Sequence, residues 1–178
     1  MVCGSVSYAD HGAAYVLRSQ RIRMPTISNR HWPEYQSTLW VDPSSPWPVR
    51  QAAECLARQY HGESHFNLPY TAGDDNYSMA VLLLKAWQVD IAYTIPVGGA
   101  IGFSLPSAED PTPWISWAYV HPYQRARRLI DSAWPSIIQR FPEVRFRRPF
   151  TPAGAGMVRR LTNGKDGADE TWRPPRGY

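Results

Sequence analysis

The order of hydrophobic patterns along the chain predicts an α+β fold with a mixed, mostly antiparallel sheet flanked by helices. One helix comes first, strands that read as hairpins follow it, and a strand–helix–strand–helix series near the end indicates one parallel pairing. The 178 residues include 17 prolines, which favour short elements over long helices. We expect a single domain over residues 1–161, with its most readable half in residues 77–161, and a flexible tail over residues 162–178.

The first helix is predicted over residues 48–61. Pro48 suits the first helical position, where its missing N–H costs nothing. Apolar residues then recur at helical spacing, and they are Val49, Ala52, Ala53, Leu56, Ala57 and Tyr60. Gly62 is expected to end this helix. Upstream, residues 13–23 are interpreted as a strand before a loop rich in Pro and Trp.

Apolar segments predict the strands of the sheet. The run YSMAVLLLKAW, residues 77–87, is typical of a strand buried on both faces, and residues 89–95 continue it or pair with it. GGAIGFSLP, residues 98–106, reads as the next strand. We expect VGGAIG to form a tight turn, since it lacks the Gly-Lys-Ser/Thr ending of a phosphate loop. WISWAYVHP, residues 114–122, is a strand that ends at its proline.

A second helix is predicted from an apolar stripe, which consists of Leu129, Ile130, Ala133, Trp134, Ile137, Ile138 and Phe141. Pro135 lies inside this stripe and is expected to kink or split the helix. VRFRRPF, residues 144–150, is typical of a short strand. TPAGAGMVRRL, residues 151–161, reads as a brief last helix with Thr151 as its N-cap.

Positive charge is concentrated in the C-terminal third of the chain. Residues 1–122 carry seven Lys or Arg against ten Asp or Glu, whereas residues 123–178 carry twelve against five. Arg125, Arg127 and Arg128 fall at the start of the second helix, an end that favours anions over cations. The cluster is therefore either an ordinary solvated basic face or a site for a negatively charged ligand.

The stretch WAYVHPYQRARRLIDSAW, residues 117–134, resembles the central motif of the GCN5-related N-acetyltransferase superfamily, as a divergent member. It has a strand, Val-x-Pro, an aromatic residue, a basic turn and a helix in the family's order. The resemblance covers residues 77–161, because the neighbouring strands and the last helix also match. It implies an acyl-CoA N-acyltransferase-like fold and the transfer of acetyl from acetyl-CoA to an amine, carried by a small molecule or a protein.

The resemblance also implies which residues bind acetyl-CoA. Backbone groups of Ala118, Tyr119 and Val120 would receive the pantetheine arm. Backbone N–H groups of the next turn would surround the pyrophosphate at a helix N-terminus, and this turn consists of Arg125, Ala126, Arg127, Arg128, Leu129 and Ile130. The family has a glycine where this chain has Arg128, or Arg127 if the motif starts at Gln124. Glycine lets the backbone approach a phosphate closely.

Three side chains near this motif are candidates for acid–base chemistry, which must deprotonate the amine and protonate the leaving thiolate. They are Ser116, Tyr119 and His121. A His beside a strand-ending Pro is more often a loop or packing residue, and a Tyr on an apolar strand is more often core. The central strand contains no carboxylate, and the last helix contains no Tyr.

Two other functions are left open. A non-catalytic protein of this fold would use its basic, aromatic surface to bind or inhibit a protein partner. Nucleic acid is a further candidate, through VRFRRPF together with Arg159 and Arg160, although an edge strand protected by charge is the simpler interpretation.

Metal and membrane binding are not expected. Cys55, His61, His65 and Cys3 lack the paired spacing that is typical of a zinc site. The N-terminus shows no signal-peptide pattern, and the longest apolar run, residues 79–84, is too short to span a bilayer. A cytoplasmic location is therefore the default expectation.

Overall fold

Six strands form one mixed sheet in the computed structural model, which describes residues 22–75, 77–87, 93–147 and 152–162. The strands are β1 (Thr26–Ser28), β2 (Thr38–Val41), β3 (Met79–Lys85), β4 (Thr94–Ser104), β5 (Trp114–Val120) and β6 (Arg145–Phe146). The helices are α1 (Trp47–Ser64), α2 (Leu129–Arg140) and α3 (Pro152–Leu161). The predicted cap at Thr151, all but the last two residues of the strand at 13–23 and the tail beyond residue 162 lie outside the described residues.

The sheet has the order β2-β3-β4-β5-β6, and β1 pairs with the start of β4. Every pairing is antiparallel except the last, in which β5 and β6 run parallel. This last connection passes through α2, because parallel neighbours need a crossover. The predicted fold class, α+β with a mostly antiparallel sheet flanked by helices, is confirmed.

α1 extends beyond its predicted end. It runs through Gly62 to Ser64, so the prediction that Gly62 ends it is wrong. His65 ends the helix instead, with a left-handed backbone (φ 60°) and an N–H that bonds to the His61 carbonyl. A glycine inside a helix costs only about 1 kcal/mol relative to alanine, which the continuing backbone bonds can offset.

α2 is one continuous helix although Pro135 lies inside it. The alternative in which the proline splits the helix is therefore wrong. Pro135 removes the one backbone bond that its missing N–H would have made. Leu129, Ala133 and Ile137 are buried along one face on both sides of that gap. Burial of this stripe stabilises the helix across the lost bond.

The segment 97–102 lies inside β4, so the predicted tight turn is wrong. Its glycines instead make room for the neighbouring strand. A Cβ on Gly102 would lie 1.8 Å from the indole nitrogen of Trp117, and one on Gly99 would lie 2.8 Å from the Tyr119 carbonyl oxygen. Glycine inside a strand commonly marks this kind of close approach.

Two apolar cores lie on opposite faces of the sheet. α1 covers the face that carries Trp117 and Tyr119, and α2 and α3 cover the face that carries Ile115 and Ala118. Strict alternation would put Ile115 and Trp117 on one face. They lie on different faces because Ser116 is an extra residue, a β-bulge opposite the Gly102–Phe103 step of β4.

Candidate functional site

β5 and β6 pair over only two residue positions. The pairs are Trp114 with Arg145 and Ile115 with Phe146, and the Arg147 N–H then bonds to the Ile115 carbonyl. β5 continues to Val120. Beyond Ile115, however, no described strand pairs with the edge of β5 that faces away from β4. We call this edge, over residues 116–120, the open edge of β5.

Backbone groups of Ala118 and Val120 face the open edge. The His121 N–H donates to the Gly98 carbonyl at 2.9 Å. Because Val120 pairs with Gly99, His121 lies opposite Gly98 and forms a hydrogen-bonded pair with it. Bonded and non-bonded pairs alternate along an antiparallel ladder, so the N–H and C=O groups of Val120 and Ala118 point away from β4. The open edge therefore offers backbone donors and acceptors to an extended ligand.

The turn that follows β5, residues 125–130, has a backbone suited to an anion; we call it the arginine turn. Ala126 and Arg128 have left-handed conformations, with φ of 34° and 53°. Arg128 directly precedes α2, and its side chain does not cap the helix. The first three N–H groups of α2 thus have no partner within the helix. The Arg125 and Arg127 N–H groups already donate to the Pro122 and Gln124 carbonyls. The donors left for an anion are therefore those at the start of α2.

Arg125 is the engaged arginine of this turn. Its guanidinium forms an ion pair with Glu63, and its Nε donates to the Val120 carbonyl at 3.0 Å. It also lies 5.8 Å from the centre of the Tyr119 ring. Arg125 therefore bends back over β5, toward the end of α1.

Arg127 and Arg128 point to solvent instead. The Arg128 side chain is 80% exposed, and its nearest acidic group is Asp131 at 3.9 Å. Arg127 is exposed, and no ion pair or hydrogen bond joins its side chain to any other described residue. Arg127 therefore has no acidic partner among the described residues, and Arg128 has only the long, exposed contact with Asp131.

Glu63 is a site residue that the sequence pattern does not reveal. It lies in the last turn of α1, and its Oε1 accepts a hydrogen bond from the Tyr119 hydroxyl at 3.0 Å. Its Oε2 meets the Arg125 guanidinium. The central strand has no carboxylate of its own, yet the packing of α1 against β5 brings one to it from 56 positions away in sequence.

Tyr119 and His121 are both buried, with exposures of 4% and 1%. Burial, strengthened by the nearby Glu63 carboxylate, raises the pKa of the Tyr119 hydroxyl far above its ordinary value. Burial also lowers the pKa of His121, and the Arg125 charge lowers it further. At neutral pH both side chains are therefore uncharged.

Both ring nitrogens of His121 have neighbours within the protein. Nδ1 accepts from the Tyr123 N–H at 3.4 Å, and Nε2 lies 3.3 Å from the Ile22 carbonyl oxygen. The His121 and Tyr123 rings are stacked with centres 5.5 Å apart. His121 thus occupies a packing position behind the arginine turn.

Ser116 lies apart from these groups, at the inner end of the open edge. It is the bulge residue of β5, and its hydroxyl is 2.6 Å from that of Ser104.

The remaining predicted cofactor residues line the α2 face of the sheet. Leu129 is buried there, and Ala118, Val120 and Ile130 are partly buried beside it.

Cys55, His61 and His65, the described residues weighed as metal ligands, do not form a metal site. No group of three His, Cys, Asp or Glu side chains in the described ranges could hold a metal ion, and Cys3 lies outside the described part of the chain. Among the described helices, none combines the length and the apolar character needed to cross a membrane.

Comparison with known proteins finds likeness in structure alone. The chain is similar to the xEco2 acetyltransferase domain, with a TM-score of 0.48 and 16% identity over 72% of this chain and 87% of that one. The same domain bound to a K105-CoA conjugate gives a TM-score of 0.47 and 16% identity over 69% and 84%. A ribosomal-protein-alanine N-acetyltransferase from Brucella melitensis biovar Abortus 2308 gives 0.44 and 14% over 71% and 90%.

These structural neighbours are acetyltransferases, and the likeness is distant. No family model matches the chain, and no curated protein matches it.

Proposed function

We propose that this chain is an N-acetyltransferase that takes acetyl from acetyl-CoA. One observation carries the proposal: the open edge of β5 is followed, after His121 and a single 3-10 turn over Pro122–Gln124, by the arginine turn and the uncapped start of α2. A long ligand with an amide-containing arm at one end and a pyrophosphate at the other fits this succession of groups. Acetyl-CoA has that chemistry.

The open edge would bind the pantetheine arm. The arm carries two amides, and the outward backbone groups of Ala118 and Val120 would pair with them as a neighbouring strand would. Leu129 and Ile130 would contact the apolar parts of the arm, since both pack on the α2 face of the sheet beside Ala118 and Val120. The cofactor would then lie beside residues 116–120 of β5, where β6 no longer pairs with this strand.

The arginine turn would bind the pyrophosphate. The free N–H groups at the start of α2 favour an anion, which also relieves the repulsion between the helix dipole and the three arginines. Because both side chains are exposed, charge-assisted hydrogen bonds from Arg127 and Arg128 would add about 1 kcal/mol each, less than in a desolvated contact.

In the transfer itself the amine nitrogen attacks the thioester carbonyl carbon. The C–N bond forms, the C–S bond breaks, and the proton lost by the nitrogen ends on the thiolate sulfur. Tyr119 and Ser116 hold a hydroxyl proton at neutral pH and are our candidates for the donor to sulfur. His121 is the weakest of the three candidates, because both of its ring nitrogens have protein neighbours.

The experiment is a calorimetric titration of acetyl-CoA into the wild type and into Arg127→Ala/Arg128→Ala. We expect binding by the wild type and roughly ten- to hundredfold weaker binding by the double variant, since two charge-assisted contacts are lost. Arg140→Ala is the control, because Arg140 is exposed in the last turn of α2, at the opposite end of the helix from the arginine turn, and the substitution also removes a positive charge. No binding by the wild type at millimolar acetyl-CoA would contradict the proposal.

A second candidate is a non-catalytic protein of the same fold that binds or inhibits a protein partner. It is favoured by Arg128, a bulky residue held at φ 53° where the family has glycine. The same titration followed by mass spectrometry with model amines separates the two: the enzyme acetylates an amine, whereas the second candidate does not.

Nucleic-acid binding through residues 144–150 is not our proposal. Arg145 lies 5.3 Å from the centre of the Trp114 ring and 3.6 Å from Asp110, and Phe146 is buried. Arg145 therefore places a paired charge on the last strand of the sheet, and Phe146 packs in the core. Residues 148–150 lie outside the described part of the chain.

A further inference from the structure

The Arg125 side chain occupies part of the edge that we assign to the cofactor. Its Nε donates to the Val120 carbonyl, one of the outward acceptors of the open edge. A pantetheine amide that bonds to the same carbonyl would need to replace this contact. The sequence resemblance alone assigns Arg125 to the pyrophosphate, which is a different position.

Glu63 is the residue that holds Arg125 there. The carboxylate pairs with the Arg125 guanidinium through one oxygen and accepts from the Tyr119 hydroxyl through the other. Tyr119 is buried and has its ring beside the same guanidinium. The carboxylate is thus fixed by a rigid neighbour. This arrangement selects one conformation of an otherwise flexible arginine.

We infer that Glu63 is a positioning residue that keeps Arg125 on the open edge until acetyl-CoA displaces it. This inference rests on the proposed function. Binding exchanges the partners of Arg125: its Nε leaves the Val120 carbonyl, and its guanidinium turns from Glu63 to the pyrophosphate. Glu63 therefore lowers the affinity for acetyl-CoA, and its carboxylate is released beside Tyr119 once the cofactor is bound.

The test is the dissociation constant of acetyl-CoA for the wild type and for Glu63→Gln. Glutamine keeps the size of the side chain, and its one oxygen still accepts from Tyr119. The charge and the acceptor that faces Arg125 are lost. The Arg125 and Glu63 side chains are 52% and 38% exposed. Since exposed ion pairs are weak, we expect Glu63→Gln to bind roughly two- to fivefold more tightly than the wild type.

Two controls separate this exchange from a general effect of charge. Glu54→Gln removes a carboxylate that pairs with Arg58 elsewhere on α1, and it should leave the affinity unchanged. In an Arg125→Gln background, Glu63→Gln should also have no effect, because the residue that it holds is gone. A purely structural role of Glu63 would instead weaken binding or leave it unchanged.

The outcomes distinguish the inference from the function on which it rests. If the wild type binds acetyl-CoA and Glu63→Gln binds equally or more weakly, the inference is wrong and the proposed function stands. The inference is also wrong if Glu63→Gln tightens binding by the same factor without Arg125. If neither the wild type nor Glu63→Gln binds acetyl-CoA at millimolar concentration, the proposed function itself fails.

Discussion

The indole of Trp117 lies directly over Gly102, its partner on the neighbouring strand, so closely that a Cβ on the glycine would be 1.8 Å from the indole nitrogen. Trp117 is also the first residue after the Ser116 bulge, and it faces α1 because of that bulge. The position of this one aromatic ring therefore depends on both a missing side chain and an extra residue. It lies at the point where β5 and β6 begin to separate.

Gly102→Ala should destabilise the protein by about 1–3 kcal/mol, the usual range for forcing extra volume into a packed core. The added methyl group would overlap a rigid indole ring that is only 3% exposed. Urea unfolding measures the change. The matched control is Gly62→Ala in α1, where nothing lies within 4 Å of the added carbon. This control should gain stability, by about 0.5–1 kcal/mol, from better helix propensity. Equal effects of the two substitutions would contradict the packing described for β4 and β5.

Arg128→Gly should stabilise the free protein. A non-glycine residue in the left-handed conformation costs about 1–2 kcal/mol, and glycine avoids this cost while losing more entropy on folding. We therefore expect a net gain of roughly 0.5–1 kcal/mol in the free energy of unfolding. The loss of the exposed contact with Asp131 at 3.9 Å subtracts little.

Arg127→Gly is the control for this substitution. Arg127 has no left-handed backbone, so glycine there brings only its entropic cost and should lower the stability. If both glycine variants lose stability, the backbone conformation assigned to Arg128 is wrong.

Stability should fall as the pH drops below the ordinary pKa of histidine, because His121 is buried and its pKa is lowered. The unfolded chain then binds a proton that the folded chain does not, so the free energy of unfolding decreases between about pH 6.5 and the folded pKa. The slope from this one residue is at most about 1.4 kcal/mol per pH unit. Well above pH 6.5 the histidine is neutral in both the folded and the unfolded chain, so His121 no longer lowers the free energy of unfolding.

Urea unfolding at a series of pH values tests this dependence, with His121→Gln as the comparison. The variant should show a shallower fall in stability on the acid side of neutrality than the wild type shows. A slope that does not change on substitution would mean that His121 is not the group that titrates.

Local apolar patterns were sufficient to predict the elements that pack on the sheet. The stripe from Leu129 to Phe141 identified α2, because a helix on a sheet buries one face and leaves the other in water. The continuous run in residues 77–87 identified β3, whose five central residues are all buried. Both signals lie within a single element, which is why one sequence reveals them.

Features that depend on two distant segments could not be read in this way. The glycines of β4 look like a turn until Trp117 is placed beside them, and Gly62 looks like a helix end because its surroundings are unknown. The pairing of Glu63 with Arg125 joins residues 62 positions apart, on elements whose contact no local pattern encodes. For the same reason no local pattern indicates Glu63, whereas the arginines of the candidate site follow a recognisable strand and can be predicted.

We propose that acetyl-CoA binds along the open edge of β5. Amide hydrogen exchange tests this most directly, because it reports on the backbone N–H groups of that edge. The N–H groups of Ala118 and Val120 point away from β4, so they should exchange more slowly when acetyl-CoA is added, as should the first N–H groups of α2. The Tyr119 N–H, which points toward β4, serves as the internal reference and should change less. Protection of Ala118 and Val120 is the result that we predict. Unchanged exchange at both residues with saturating acetyl-CoA would contradict this placement of the cofactor.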